Sequence, residues 1–171
     1  MRVAHLDGPV FAALAAGDLS AANALSPVPL TAHFAGPDWR GVWRMRHEQV
    51  LRDPASAAWV TGVVWDEDLR LAVGRAGYHG PPDERGTVEV GYAVDPEHRR
   101  RGYARAALES LLRRAAREPA VRTVRVSISP ANTASRDLAV QHGFVPVGEQ
   151  WDEEDGLEIV YEVASGEGGT P

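Results

Sequence analysis

The stretch from Thr87 to Ala115 constrains the fold most, because it joins a strand pattern directly to a helix pattern. In TVEVGYAV, apolar side chains alternate with polar or small ones, which predicts a strand with one buried face. After the break DPEHRRRG, apolar residues recur at helical spacing, namely Ala104, Ala107, Leu108, Leu111, Leu112 and Ala115. A strand face and a helix stripe that must bury each other indicate an α/β fold.

The remaining segments extend this pattern into a mixed sheet. AAWVTGVVW and LRLAVGRAGY flank DED and predict a β-hairpin. Another strand is predicted for VRTVRVSIS, and a short helix capped by Asn132 is predicted for NTASRDLAVQHG. A final antiparallel pair of strands is predicted for FVPVGEQW and LEIVYEV. Upstream, residues 9–17 and PDWRGVWRMRHEQVLRDP, with Asp38 as a capping residue, predict helices. No first strand is evident in the first 35 or so residues.

Length and composition restrict the class of protein. The 171 residues suit one domain, expected over residues 1–164 with a flexible tail over 165–171. No apolar run is long enough for a bilayer, and the cysteine-free sequence suits the cytoplasm. A net charge of −6 argues against broad nucleic-acid binding. All 18 basic residues are arginine, which excludes a Walker loop and a lysine Schiff base.

Four arginines between Arg99 and Arg105 surround Gly102 at the predicted start of a helix. The first amides of a helix lack internal partners and lie at the positive end of its dipole. A glycine there lets a ligand approach the backbone, and arginine adds forked hydrogen bonds to phosphate. The turn therefore suits a phosphate or pyrophosphate, with a solvated basic helix start as the structural alternative.

Two motifs in this frame resemble one family. Arg99-x-x-Gly102-x-Ala104 is similar to the pyrophosphate loop of the GCN5-related N-acetyltransferases, abbreviated GNAT, whose pattern is Q/R-x-x-G-x-G/A. Asn132-x-x-Ser135-x-x-Leu138 followed by Gly143-Phe144 resembles the branch of ribosomal-protein N-terminal acetyltransferases. The resemblance covers about residues 59–163. It implies a single-domain GNAT-like fold, with a mixed, mostly antiparallel sheet whose splayed strands hold the cofactor.

The resemblance also implies how acetyl-CoA binds. Backbone amides from Arg100 to Arg105 would hold the pyrophosphate, while Arg99, Arg100 and Arg101 would add charge or reach the 3′-phosphate. The backbone of Tyr92, Ala93 and Val94 would pair with the pantetheine arm, with Gly91 as a bulge that opens the sheet. Asn132 would bond the pantetheine amide while also capping its helix. The cofactor set, by residue, is Tyr92, Ala93, Val94, Arg99, Arg100, Arg101, Gly102, Tyr103, Ala104, Arg105 and Asn132.

Acyl transfer to an amine needs a base, an oxyanion donor and help for the leaving thiolate. The resemblance implies Glu89 as the base, acting directly or through water, and a backbone N–H near Tyr92–Val94 as the oxyanion donor. Many relatives place a tyrosine where this chain has Ala139, so Ser135 replaces it as the group near the thiolate. The structural alternatives are a Glu89 carboxylate paired with an arginine such as Arg75, and an ordinary helical Ser135.

Three further side chains are candidates for the acceptor pocket. Trp39 and Trp43 on the early helix would wall it, unless they are core residues, and His79 lies where a hairpin would face the cleft. No His, Asp and Glu spacing indicates a metal site. The exposed ends of such a sheet could pair with those of a second copy, so a homodimer is one of the possible assemblies.

Three functions remain for the sequence. An acetyl-CoA-dependent N-acetyltransferase would act on a protein N-terminus or on a small amine or amino-acid-like molecule. A non-catalytic acyl-CoA-binding module would keep the phosphate loop without the chemistry, an alternative that the missing tyrosine keeps open. A nucleic-acid binder using RRRGYAR is disfavoured because one basic cluster without interleaved aromatics is a poor footprint.

Overall fold

The alternation of TVEVGYAV appears as predicted in the computed structural model, which describes residues 1–153 and 156–166. In chain order the elements are β1 Arg2–Ala4, α1 Gly8–Ala16, α2 Leu19–Leu25, α3 Pro37–Arg52, β2 Gly62–Asp66, β3 Leu71–Tyr78, β4 Thr87–Val94, α4 Tyr103–Ala115, β5 Thr123–Ile128, α5 Thr133–Gln141, β6 Val145–Asp152 and β7 Gly156–Ala164. The strands form one sheet in the order β1-β2-β3-β4-β5-β7-β6.

The sheet is mixed, as the sequence predicted, and mostly antiparallel. β4 and β5 run parallel, while each of the other neighbouring pairs of strands is antiparallel. The parallel pair follows from the chain path, because α4 connects the two strands across one face of the sheet. Helices flank both faces, so the predicted fold class is confirmed.

β4 and β5 separate soon after they begin. Their pairing runs only from Thr87 opposite Thr123 to Glu89 opposite Arg125. Beyond Glu89, β4 stays paired with β3 as far as Val94, while β5 continues against β7. The register of β3 and β4 is regular through Gly77 opposite Gly91, so the sheet splays there without the bulge predicted at Gly91.

The two faces of the sheet bury separate hydrophobic cores. Val88 and Val90 of β4 pack with the apolar stripe of α4, including the fully buried Leu108. Each such side chain stabilises the fold by about 1.5–3 kcal/mol. The opposite face is covered by α1, α2 and α3, whose core includes Phe11 and Phe34. The even and odd residues of β4 therefore have different surroundings.

The N-terminal third shows where sequence patterning was insufficient. β1, not evident from the sequence, pairs Val3 with Val64 of β2. Asp38 lies within the first turn of α3, and the capping position is Gly36, so the predicted cap was wrong. At the other end, the Ser165 N–H donates to the Arg122 carbonyl at 2.8 Å. The rest of the predicted tail, residues 167–171, lies outside the described residues.

Candidate active site

The loop between β4 and α4 is shaped by Asp95 and by two residues with positive φ. Asp95 is buried, and its carboxylate accepts the Glu97 N–H at 3.0 Å, which starts a short 3-10 turn over Pro96–His98. Arg100 has φ 62° and Gly102 has φ 83°. These left-handed residues turn the chain so that α4 begins directly after Gly102.

The backbone amides of this loop are unused by the protein. In the described chain, the N–H groups of residues 100–105 donate to no protein acceptor, and the first backbone bond of the α4 turn runs from the Ala106 N–H to the Gly102 carbonyl at 3.0 Å. A Cβ built on Gly102 would meet no heavy atom within 4 Å. Open space, unpaired donors and the helix dipole thus coincide, which is the donor set a diphosphate requires.

The side chains of the predicted loop residues have different roles in the structure. The Arg99 Nε donates to the Val94 carbonyl at 3.2 Å, and the Arg105 guanidinium donates to the Gln141 side chain. The Tyr103 hydroxyl donates to the Asp66 carboxylate at 2.7 Å, tying α4 to β2. These three side chains brace the loop and the start of α4. Within the described residues, Arg100 and Arg101 are exposed and make no ion pair or side-chain hydrogen bond.

The splayed edge of β4 presents alternate backbone groups to the gap. The Asp95 N–H donates to Val73 and the Glu89 carbonyl accepts from His79, so odd-numbered residues of β4 face β3. In an antiparallel ladder the intervening residues face the other way. The backbone groups of Tyr92 and Val94 therefore point toward the gap, as a pantetheine arm would require, whereas those of Ala93 face Arg75 of β3.

The predicted thiolate side of the site lies at the start of α5. The Asn132 side chain accepts the Ser135 N–H at 3.2 Å, so Asn132 caps the helix, while its amide NH₂ has no partner among the residues that the structure describes. Ala139, where relatives carry tyrosine, is fully buried. The Tyr92 phenol is buried, and its oxygen has no hydrogen-bond partner among the described residues. Burial raises the pKa of Tyr92, and the neighbouring Ser135 hydroxyl opposes that rise.

Glu89 lies on the opposite face of the sheet, between β3 and β5. The Ser127 hydroxyl donates to Glu89 Oε1 at 2.8 Å, and the Nδ1 of His79 lies 3.7 Å from the same oxygen. The Glu89 side chain is 22% exposed and that of His79 is 48% exposed. Glu89 is thus accessible at the point where the sheet opens.

A buried arginine of α3 lies beneath this cluster. Arg46 is buried, and its Nε donates to the Thr61 hydroxyl at 3.1 Å while its terminal nitrogen donates to the Gln49 side chain at 2.8 Å. Burial lowers the pKa of Arg46, and the nearby Glu89 carboxylate opposes this. The cation therefore balances the charge of Glu89 from beneath the site.

The prediction that Trp39 and Trp43 wall the acceptor pocket is wrong. Trp43 is fully buried, and its indole N–H donates to the Phe34 carbonyl at 2.7 Å. Trp39 is 6% exposed, edge-on to Phe34 and under the guanidinium of Arg75. Both rings belong to the core between α3 and the sheet, because their i, i+4 spacing faces inward.

Sequence reasoning missed Ser127, Arg46 and the Tyr92 phenol. A signal existed for Ser127, since Val126 and Ile128 alternate with it and place it on the face of Glu89. Tyr92 was identified only for its backbone, and Arg46 has no signal, because its burial depends on the docking of α3. In the described residues no group of three or more His, Cys, Asp or Glu could hold a metal ion. No helix there is long and apolar enough to span a membrane.

Comparison with known proteins identifies the family. The model described as Acetyltransferase (GNAT) domain matches residues 14–145, so the chain belongs to this family. The family predicted from the sequence is therefore confirmed, and the chain contains an acetyltransferase domain of this family. A Bacillus subtilis (strain 168) protein named uncharacterized N-acetyltransferase YjdG is 26% identical over 98 residues. That match covers 57% of this chain and 58% of the relative, so this chain matches less than two thirds of the relative's length.

Solved structures show the same fold at low sequence identity. Ribosomal-protein-S5-alanine acetyltransferase from Vibrio fischeri superposes with a TM-score of 0.66 at 17% identity, covering 98% of this chain and 94% of that one. A GNAT-family acetyltransferase from Bacillus anthracis superposes with a TM-score of 0.58 at 17% identity, covering 80% of this chain and 76% of that one. Spermidine/spermine N-acetyltransferase from Vibrio cholerae superposes with a TM-score of 0.60 at 16% identity, covering 72% of this chain and 75% of that one.

Proposed function

We propose that this protein transfers the acetyl group of acetyl-CoA to a primary amine within a ternary complex. The observation that carries the proposal is the row of unpaired amides over residues 100–105 beside the open edge of β4. The amine is a protein N-terminus or a small amine or amino-acid-like molecule. The solved relatives include enzymes named for a ribosomal protein and for spermidine, so both classes of acceptor occur with this fold.

Binding of acetyl-CoA uses the backbone more than the side chains. The loop amides receive the pyrophosphate, and the exposed Arg100 and Arg101 add positive charge around it. The gap-facing backbone groups of Tyr92 and Val94 receive the pantetheine arm, and the free amide NH₂ of Asn132 completes its hydrogen bonds. In this proposed binding mode the thioester lies where β4 and β5 separate.

The chemistry then needs groups on both sides of the splay. The amine nitrogen forms a bond to the thioester carbonyl carbon, and a gap-facing N–H near Tyr92–Val94 stabilises the oxyanion. The carbon–sulfur bond breaks as the carbonyl re-forms. The proton lost by the amine goes to the base centred on Glu89, and the departing sulfur receives a hydrogen bond from Ser135, which lies beside the Tyr92 phenol.

The test is thiol release from acetyl-CoA in the presence of a panel of amines, with acetyl-CoA binding measured by calorimetry. We expect micromolar-range binding and amine-dependent thiol release. The Glu89→Gln variant should keep its affinity for acetyl-CoA and lose roughly 10²–10⁴-fold in turnover. Glu118 lies just past the C-terminal end of α4, is ion-paired with Arg114 and provides the matched loss of a carboxylate, so Glu118→Gln should behave as wild type.

Two outcomes would contradict the proposal. Acetyl-CoA binding without acetylation of any amine, in wild type, would indicate the non-catalytic acyl-CoA-binding module instead. Absence of acetyl-CoA binding would remove the assigned role of the loop amides.

A further inference from the structure

His79 is held in place by its backbone from two directions. Its N–H donates to the Glu89 carbonyl at 2.8 Å, extending the ladder of β3 and β4 by one residue. Its carbonyl accepts from the Gln49 side chain at 2.7 Å and from Arg46 at 3.4 Å, both on α3. The residue after β3 is therefore fixed between the sheet and the N-terminal helices, although its ring is exposed.

The ring of His79 occupies space that Gly91 leaves open. A Cβ built on Gly91 would lie 3.0 Å from the Nε2 of His79, closer than side chains normally pack. The opposite nitrogen, Nδ1, lies 3.7 Å from Glu89 Oε1, within ion-pair range. One ring nitrogen thus faces the carboxylate, and the other lies over β4, two residues past the point where the strands separate.

Glu89 already has a hydrogen bond from Ser127, and it is less exposed than His79. The imidazole is therefore more accessible than the carboxylate to an amine from solvent. A carboxylate that faces one ring nitrogen and is itself fixed by a hydroxyl is suited to orient the ring and to stabilise its charged form.

We infer that His79 is the catalytic base that receives the amine proton, and that Glu89, held by Ser127, is the positioning residue behind it. The inference rests on the proposed acetyl transfer and names the group through which Glu89 acts. As the N–C bond forms, the proton on the attacking nitrogen moves to Nε2 of His79. The imidazolium keeps its other proton on Nδ1, facing Glu89, and later releases the gained proton to solvent.

The charges around His79 suit a base that is neutral before the reaction. Four charged groups face it: Glu89 from β4, Arg46 from α3, Arg75 from β3 and Asp152 from β6. Burial lowers the pKa of His79 most, the two arginines lower it further, and the two carboxylates oppose them. A pKa below 6.5 leaves the imidazole unprotonated and able to accept a proton at neutral pH.

The first experiment compares thiol release by His79→Gln, Glu89→Gln and Ser127→Ala, with acetyl-CoA affinity measured for each. We expect kcat/KM to fall roughly 10²–10⁴-fold for both His79→Gln and Glu89→Gln, with the smaller loss in Glu89→Gln, and roughly tenfold for Ser127→Ala, with acetyl-CoA affinity unchanged. Added imidazole should restore part of the activity of His79→Ala and none of that of Glu89→Gln. Wild-type turnover by His79→Gln would overturn the inference and leave the proposed acetyl transfer intact.

The pH profile separates the two roles. In wild type, kcat/KM should fall as the pH is lowered through the pKa of His79, because the ring then becomes protonated. The inflection should lie under pH 6.5. Because Glu89 raises the pKa of His79, that inflection should move to lower pH in Glu89→Gln. An NMR titration of the His79 ring provides the same comparison without turnover. An inflection that does not move in either measurement would contradict the pairing of His79 with Glu89.

Gly91→Ala should displace the His79 ring while leaving the imidazole itself unchanged. Gly148→Ala is the matched control on a strand, because a Cβ at Gly148 meets nothing within 4 Å. Gly91→Ala should lower kcat/KM at least tenfold with acetyl-CoA affinity retained, and Gly148→Ala should match wild type. Equal activity of the two variants would contradict the placement of Nε2 over β4. Wild-type protein that binds acetyl-CoA but acetylates no amine would overturn the proposed function and this inference together.

Discussion

The two halves of the site are built in different ways. On one side, the loop before α4 presents consecutive backbone amides without partners among the described residues, and its shape comes from Asp95, Arg100 and Gly102 within eight residues. On the other side, the cluster combines Glu89 of β4, Ser127 of β5 and Arg46 of α3 with His79, the residue directly after β3. The first half is local in sequence and depends on φ angles, whereas the second exists only once the sheet and the helices have packed.

This contrast predicts which measurements each half controls. Changes in the loop should alter acetyl-CoA affinity, because we propose that the loop amides hold the pyrophosphate. Changes in the His79 cluster should alter turnover and its pH dependence with acetyl-CoA affinity intact. A variant that shifts both quantities equally would weaken the division.

The largest effect is expected from Gly102→Val. Its φ of 83° is unfavourable for a β-branched residue, and the new side chain would fill the open space beside the loop amides. Strain of about 1–2 kcal/mol and loss of close approach should together weaken acetyl-CoA binding by roughly 10²-fold in calorimetry. Gly148→Val is the control on β6. Unchanged affinity in Gly102→Val would show that the pyrophosphate binds elsewhere.

An intermediate effect is expected from Tyr92→Phe, with Tyr78→Phe as its comparison. Tyr78→Phe should lower stability and leave kcat unchanged, whereas Tyr92→Phe should lower kcat without lowering stability. The Tyr78 hydroxyl donates to the Leu111 carbonyl at 2.7 Å, so its loss should cost about 1 kcal/mol of unfolding free energy. The Tyr92 oxygen is buried without a partner, so its removal should leave stability unchanged or raised.

Turnover should show the reverse order. Tyr92→Phe should lower kcat about tenfold, since the phenol lies next to Ser135, the residue that we propose assists the leaving sulfur, and Tyr78→Phe should leave kcat unchanged. Denaturant unfolding and steady-state kinetics of both variants decide this. Full turnover by Tyr92→Phe would show that the Tyr92 hydroxyl has no role in catalysis and that the ring only packs in the core.

The smallest effect is expected from the exposed arginines. Arg100→Gln and Arg101→Gln should each weaken acetyl-CoA binding only a few-fold, and the loss should shrink at high salt because solvent-exposed charges are screened. Arg113→Gln, ion-paired with Glu109 near the end of α4, should have no effect on affinity. A large, salt-independent loss would mean that a side chain, and not the backbone, dominates the loop.

Sequence reasoning succeeded where one contiguous pattern determines the structure. The bounds of β4 and α4 follow directly from the period-two alternation and from the apolar stripe, and the RxxGxA loop lies between them as predicted. It failed for β1, because three residues are too few to show alternation and the strand exists through its pairing with β2. The inward direction of Trp39 and Trp43 depends equally on how α3 docks.

The candidate base shows the same limit at a single residue. The position of Glu89 on β4 was readable from alternation, but its neighbours were not, because His79 and Ser127 meet it only through the register of three strands. The placement of His79 over Gly91 depends on a side-chain direction that no sequence pattern encodes.

The most direct test is amide hydrogen exchange on the full chain, measured without ligand, with acetyl-CoA, and with acetyl-CoA plus a reactive amine. The division of the site predicts that acetyl-CoA alone slows exchange at residues 100–105, Tyr92 and Val94. It also predicts that the NMR signals of the His79 ring, recorded on the same samples, respond only when the amine is added. Exchange at residues 100–105 that is unaffected by saturating acetyl-CoA would contradict the central claim that these amides hold the pyrophosphate.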